Sequence, residues 1–189
     1  MYDNDGNLKG KLLVATPFVT NESMFFRSVI YVLSNDITGA IGVVVNSAIP
    51  DVNSELIFNA FKLQVEHKQG FNMPIHIGGP IESERGFILH TSEYSHDIMI
   101  KTEDLSFSSS LDILSNIASG KGPRKSIFVL GYFNWNPGKL EQEVKDSNWF
   151  VIPYSEDLVF GSNNYKKWYT ALNKVGITST VVGDQIGHA

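Results

Sequence analysis

The sequence predicts an α+β fold: a single domain built on a mixed β-sheet that curls on itself, with helices packed around it. Three observations lead there. Short runs rich in β-branched and aromatic residues recur between turn formers, which is the signature of strands. Fewer segments carry apolar residues at helical spacing between recognisable caps. Hairpins alternate irregularly with helices, whereas a doubly wound α/β sheet would repeat strand and helix in turn.

Taken in order, Leu12-Leu13-Val14-Ala15 is the first strand, ended by Thr16-Pro17. Ser28 to Leu33 and Ile41 to Val45 follow as an antiparallel pair. They are joined through Asn35-Asp36-Ile37-Thr38-Gly39, whose Asn, Asp and Gly suit a hairpin loop. Glu55 to Lys62 reads as a helix. Further strands are predicted at Ile75–Ile77, Phe87–His90, Asp97–Ile100, Ser126–Tyr132 and Trp149–Ile152. The unbroken apolar run Ile127-Phe128-Val129-Leu130 predicts burial on both faces. Ser109-Ser110-Leu111-Asp112 places a hydroxyl three residues before an acid, and Leu111, Leu114, Ile117 and Ala118 then recur helically up to Gly120. Asn136-Pro137 reads as N-cap and first-turn proline of a helix through Leu140 and Val144. A last helix runs from Tyr165 through Trp168, Leu172 and Val175 to a Gly176 cap.

Composition excludes more than it selects. The chain has 189 residues, 42% hydrophobic and 19% charged, as folded soluble proteins have. Fifteen basic against twenty acidic residues give a net charge of −5, which argues against nucleic acid or anionic lipid as a partner. The arginines are Arg27, Arg85 and Arg124 alone, few for a phosphate or guanine reader. The absence of cysteine excludes disulfides, thiolate metal sites and a thiol nucleophile. No apolar run reaches the ~18 residues of a membrane span. The start Met1-Tyr2-Asp3-Asn4-Asp5 is acidic, unlike a signal peptide, so a cytoplasmic protein without membrane association is expected.

The sequence carries no catalytic motif. Gly39-Ala40-Ile41-Gly42 falls in the hairpin, and Gly120-Lys121-Gly122 lacks the other residues of a phosphate-binding loop. No nucleophile elbow is present. His67, His76, His90, His96 and His188 lack metal-binding spacing, so neither metal nor cofactor is expected. His90 reads first as a hydrogen-bonded strand-end residue, and alternatively as a general base beside Thr91 and Ser92. Glu141 and Glu143 point to different faces of their helix, and Glu141 is placed to pair with Lys145. Lys121-Gly122-Pro123-Arg124-Lys125 is expected to be a solvated loop behind a helix C-terminus. Gly78-Gly79-Pro80 is a tight turn, or a place where backbone closely approaches a ligand or another chain. Tyr132, Phe133 and Trp135 are core packing or a pocket wall.

Many of these segments, taken together and in order, resemble the AlgH family, also called YqgE/AlgH. The resemblance runs from Gly10-Lys11-Leu12-Leu13-Val14-Ala15-Thr16-Pro17 to Gly187-His188-Ala189. It includes Phe26-Arg27-Ser28-Val29-Ile30-Tyr31, Gly39-Ala40-Ile41-Gly42-Val43-Val44-Val45-Asn46, Ile77-Gly78-Gly79-Pro80 and Arg85-Gly86-Phe87-Ile88-Leu89-His90. Gly131-Tyr132, Trp135, Pro137-Gly138-Lys139-Leu140-Glu141 and Asn148-Trp149 complete it. Two departures stand out: Phe133-Asn134 where the family has a small residue and glycine, and Ser34-Asn35 where it has an acid and histidine.

The resemblance implies a bent, bifurcated sheet forming a partial barrel flanked by helices, in one AlgH-like domain over residues 1–189 with 1–9 a loose N-terminal tail. It brings no established biochemical activity. The family name comes from a proposed role in transcriptional regulation of an exopolysaccharide pathway. Because no helix-turn-helix or basic groove is present, the first reading is an indirect regulator acting through a protein partner. The alternative is a small-molecule-binding protein or enzyme whose pocket draws on Arg27, Gly78, Gly79, His90, Trp135, Pro137 and Gly138. Direct DNA binding ranks third.

Overall fold

The computed structural model describes residues 6–63 and 73–178. His67, His188 and the terminal Gly187-His188-Ala189 segment lie outside them. In chain order the elements are β1 (Leu12–Ala15), β2 (Val29–Asp36), β3 (Gly39–Val44), β4 (Ala48–Asn53) and α1 (Ser54–Ala60). Next come β5 (Pro74–Ile77), β6 (Ile81–Thr91), β7 (Ile98–Lys101), β8 (Leu105–Ser108) and α2 (Leu111–Ala118). The chain continues through β9 (Ser126–Trp135), α3 (Lys139–Lys145), β10 (Trp149–Ile152), α4 (Glu156–Phe160) and α5 (Asn164–Lys174).

The sheet runs β10-β1-β2-β3-β9-β6-β8-β7, with β4 and β5 branching from it at β9. The branch point has a physical cause. β9 pairs with β6 along Ser126 to Tyr132, while its other edge carries first β5, in parallel at Phe128 to Leu130, and then β3 at Phe133 to Trp135. At the handover Gly131 takes φ +68°, and the chain leaving β5 crosses it through Gly78-Gly79. The result is a curled α+β sheet, a half-barrel flanked by helices.

Strand periodicity sorts the core into layers. Leu12 and Val14 of β1 face one cluster, together with Val29, Tyr31 and Leu33 of β2; α4 and α5 cover it with Leu158, Val159, Trp168 and Leu172. Leu13, Ile30 and Val32 point the other way, under Leu140 and Val144 of α3. A third cluster sets Ile88 of β6 and Phe128 of β9 against Ile57 and Phe58 of α1 and Ile113, Leu114 and Ile117 of α2. The Ile127–Leu130 run of β9 therefore serves two layers. Leu8 is also buried, against the α3 side.

Differences from the sequence reading are local. The N-cap of α2 is Ser110, whose hydroxyl accepts from the Ile113 amide, one residue after the expected Ser109. Helix α3 starts at Lys139 behind Gly138 at φ +73°, so Asn136-Pro137 form the preceding turn and not the first helical turn. Strand β4 was hidden by Pro50 and Asp51, which read as turn formers. Strand β8 was hidden because Ser106 and Ser108 stand at fully buried positions. Helix α4 is only five residues long, too short to show a period.

Candidate functional site

A cleft of about 500 Å³ opens between the Thr16–Ser28 loop, the ends of β3 and β5, and the first turns of α5. That volume lies in the range of small-molecule sites. Arg27 is the only charged side chain among its described lining residues.

The loop carrying Arg27 is anchored from both sides. Phe25 turns inward, its ring centroid 4.9 Å from that of Phe133, 5.0 Å from Trp149 and 6.1 Å from Trp135. Phe26 and Arg27 consequently turn toward the cleft. Arg27 has φ +54°, a left-handed conformation that the Cβ of any L-residue disfavours and that is uncommon outside glycine. Asn46 stabilises it: Nδ2 donates to the Arg27 carbonyl at 2.9 Å, and Oδ1 accepts from the Val29 amide at 2.8 Å.

Three rings surround the guanidinium. Its Cζ lies 4.9 Å from the Phe26 centroid, 5.3 Å from Trp168 and 5.5 Å from Tyr169. Such contacts favour a cation and shed water from its faces. Arg27 Nε is buried with no hydrogen-bond partner. Arg85 and Arg124 pair with Glu82 and Glu156, whereas no carboxylate among the described residues pairs with Arg27.

The wall formed by α5 is fixed from beneath. Trp168 donates its indole N–H to the Ala15 carbonyl at 2.7 Å. Lys167 turns into the core, where Nζ donates to the carbonyls of Val45 at 2.8 Å and Val159 at 2.7 Å. Burial pushes its pKa down to about 7. His76 of β5 is fully buried, with Nε2 3.1 Å from Asn164 Oδ1 and Nδ1 unpartnered. Burial, reinforced by the charge of Lys167, lowers its pKa to about 4.

The seven residues singled out in the sequence do not assemble into one site. Arg27 and Gly79 line the cleft. Gly78 lies beside them, its amide bonded to Leu130 and its carbonyl to the Val44 amide. A Cβ on Gly78 would sit 2.4 Å from the Gly131 carbonyl oxygen, and one on Gly79 2.2 Å from the Tyr132 carbonyl carbon. The double glycine therefore admits another strand. His90 is fully buried in β6, with Nδ1 2.9 Å from the Thr91 carbonyl and Nε2 3.0 Å from Ser108 Oγ; burial lowers its pKa. Trp135 belongs to the aromatic cluster around Phe25, and its indole donates to Glu143. Pro137 and Gly138 form the turn into α3. Glu143, and not Glu141, pairs with a lysine, Lys139, while Glu141 accepts from Asn35. Glu156 holds the side chains of both Arg124 and Lys125, so two of the three cations of that basic loop are ion-paired.

Residues 12–180 match the AlgH-like family, DUF179. The chain belongs to the AlgH-like family. It is 39% identical over 184 residues to a UPF0301 protein of Rickettsia prowazekii, covering 97% of this chain and 96% of that one. A UPF0301 protein of Rickettsia typhi is 38% identical over the same shares. Among solved structures, AlgH of Pseudomonas aeruginosa superposes with a TM-score of 0.74 at 29% identity over the whole of both chains. A Corynebacterium diphtheriae protein, DIP2367, shares the fold, with a TM-score of 0.70 at 22% identity over 92% of this chain and 90% of that one.

In this AlgH-like chain the cleft joins one half-buried cation to largely apolar walls, an arrangement suited to gripping a molecule by one polar end. Among the described residues no three metal-ligating side chains cluster, and no helix is long and apolar enough to cross a membrane. Sequence reasoning missed Asn46, Trp168 and Tyr169 as site residues. Asn46 stood in a quoted motif, and Trp168 was visible only as a residue of the predicted helix. Their convergence on Arg27 is a tertiary event.

Proposed function

We propose that this AlgH-like protein binds a small molecule in the cleft beside Arg27, and that any regulatory role is exercised through whether that cleft is filled. The observation carrying this reading is the state of Arg27: a strained, clamped backbone, three rings around the guanidinium and no carboxylate partner among the described residues. Strain of this kind persists only where surrounding structure over-determines it, and it concentrates at functional sites. The two histidines of the described core, His76 and His90, face away from solvent, which favours binding over acid–base catalysis. Direct DNA contact is disfavoured by the acidic net charge and by the pairing of Arg85 and Arg124.

The test is native mass spectrometry after incubation with a bacterial small-molecule extract, with the melting temperature followed in parallel. A retained small mass that raises the melting temperature, and that Tyr169→Ala weakens, supports the reading. An extract that leaves no adduct and no thermal shift overturns it.

A further inference from the structure

We propose that the ligand of this cleft is a monocarboxylate with an apolar body, its carboxylate bound in the plane of the Arg27 guanidinium. The inference rests on the binding role proposed above and adds the chemical class of the ligand.

Geometry favours a flat bidentate anion. Arg27 Cζ lies over the rings of Phe26, Trp168 and Tyr169 at 4.9, 5.3 and 5.5 Å, so the cation sits among apolar surface while its hydrogen-bond donors lie in its own plane. Nε is buried and unpartnered, so the edge of the guanidinium left for a ligand is the one formed by its two Nη groups. A carboxylate matches the planar fork with two parallel hydrogen bonds.

Charge counting separates a carboxylate from a polyphosphate. Arg27 is the only charged side chain among the described lining residues. One cation in a chain of net charge −5 neutralises a monoanion and leaves a multiply charged phosphate uncompensated. The neutral donors nearby, Ser28, Asn46 and Asn164, add polarity without charge. The rest of the ligand meets apolar surface: Met24 is 65% exposed, Ile77 52% and Tyr165 84%, and all three line the same cleft. Exposed apolar side chains gathered at one concave place mark a binding surface.

The experiment is isothermal titration of the full chain with 3-phenylpropionate, its neutral amide, phenyl phosphate and acetate. The acid is expected to bind at least about tenfold more tightly than each of the others: than the amide because charge-assisted bonds are roughly twice as strong as neutral ones, than acetate because that lacks the apolar body, and than phenyl phosphate because one cation leaves its second charge uncompensated. Arg27→Met should lose at least about tenfold for the acid and much less for the amide; Arg27→Lys, which keeps charge without the fork, should lie between. Melting curves of both variants identify any failure to fold, and Arg27→Gly, free of the positive-φ strain, then serves as the charge-removed chain. Equal binding of acid and amide overturns the carboxylate while leaving the cleft as a binding site. Tighter binding of phenyl phosphate overturns the monoanion argument. Absence of binding by all four probes overturns the apolar-monocarboxylate assignment, whereas loss of the extract adduct as well overturns the binding role itself.

Discussion

Asn46 holds Arg27 by its backbone, with Nδ2 donating to the Arg27 carbonyl while Oδ1 accepts from Val29 two residues further along. One side chain thus closes the loop onto the start of β2 and fixes the only left-handed residue among the described residues of the cleft wall. Asn46→Ala removes both bonds and leaves two partly buried backbone groups unpaired. Destabilisation of about 1–3 kcal/mol is expected. Denaturant midpoints measure it, and a variant as stable as the parent would show that the clamp is dispensable.

Glu143 organises the opposite face. Its Oε2 accepts the indole N–H of Trp135 at 3.1 Å and of Trp149 at 3.0 Å, and Phe25 packs onto both rings. Glu143→Leu is expected to cost about 1–3 kcal/mol for each indole left without an acceptor. Both indole N–H resonances should shift, while that of Trp168, bonded to Ala15, stays in place.

Glycines at the sheet junction and at the start of α3 carry different demands. Gly79→Ala sets a methyl against the backbone of Tyr132 and Phe133, at 2.2 and 2.6 Å, where nothing can yield without moving β9. Loss of several kcal/mol or failure to fold is expected, by overpacking. Gly138→Ala has no atom within 4 Å of the new Cβ, and only φ +73° opposes it, so a loss of about 1 kcal/mol follows. Thermal unfolding of the pair decides this; equal losses would contradict it.

Acid sensitivity follows from His76. Its folded pKa is about 4 against an ordinary 6.5, so between these values the unfolded chain binds a proton that the folded chain excludes. Stability therefore falls as pH drops from 6.5 to about 4 and the contribution levels off below. Lys167 acts in the same sense at higher pH: with a folded pKa of about 7 against 10.5, its contribution falls as pH drops from 10.5 to about 7. His76→Leu should flatten the stability profile between pH 4 and 6.5, and Lys167→Met between pH 7 and 10.5. Unchanged slopes would contradict the assignments.

The sheet was legible because its strands are written in residues that bury on two faces, as in Leu12–Ala15 and Ile127–Leu130. The hairpin between β2 and β3 was legible because Asn, Asp and Gly mark its turn. Strands β4 and β8 were not, since Pro50, Asp51, Ser106 and Ser108 owe their strand conformation to neighbouring strands. At the site, Arg27 could be singled out by its scarcity and its motif, and Gly79 by the double glycine. The cleft around them could not, because Asn46, Trp168 and Tyr169 reach Arg27 from 19 to 142 residues away in sequence. His90 and Trp135 looked functional by residue type, yet their polar atoms are engaged within the described structure, with Ser108 and Glu143.

The most direct test of Arg27 as the centre of a binding cleft uses the three tryptophans as reporters in a nitrogen-edited spectrum during titration with 3-phenylpropionate. Trp168 lines the cleft, whereas Trp135 and Trp149 share Glu143 on the other side of the sheet. The predicted result is a saturable shift of the Trp168 indole resonance with the other two unmoved, lost in Arg27→Met. Shifts confined to Trp135 and Trp149, or a Trp168 response that survives Arg27→Met, would contradict it.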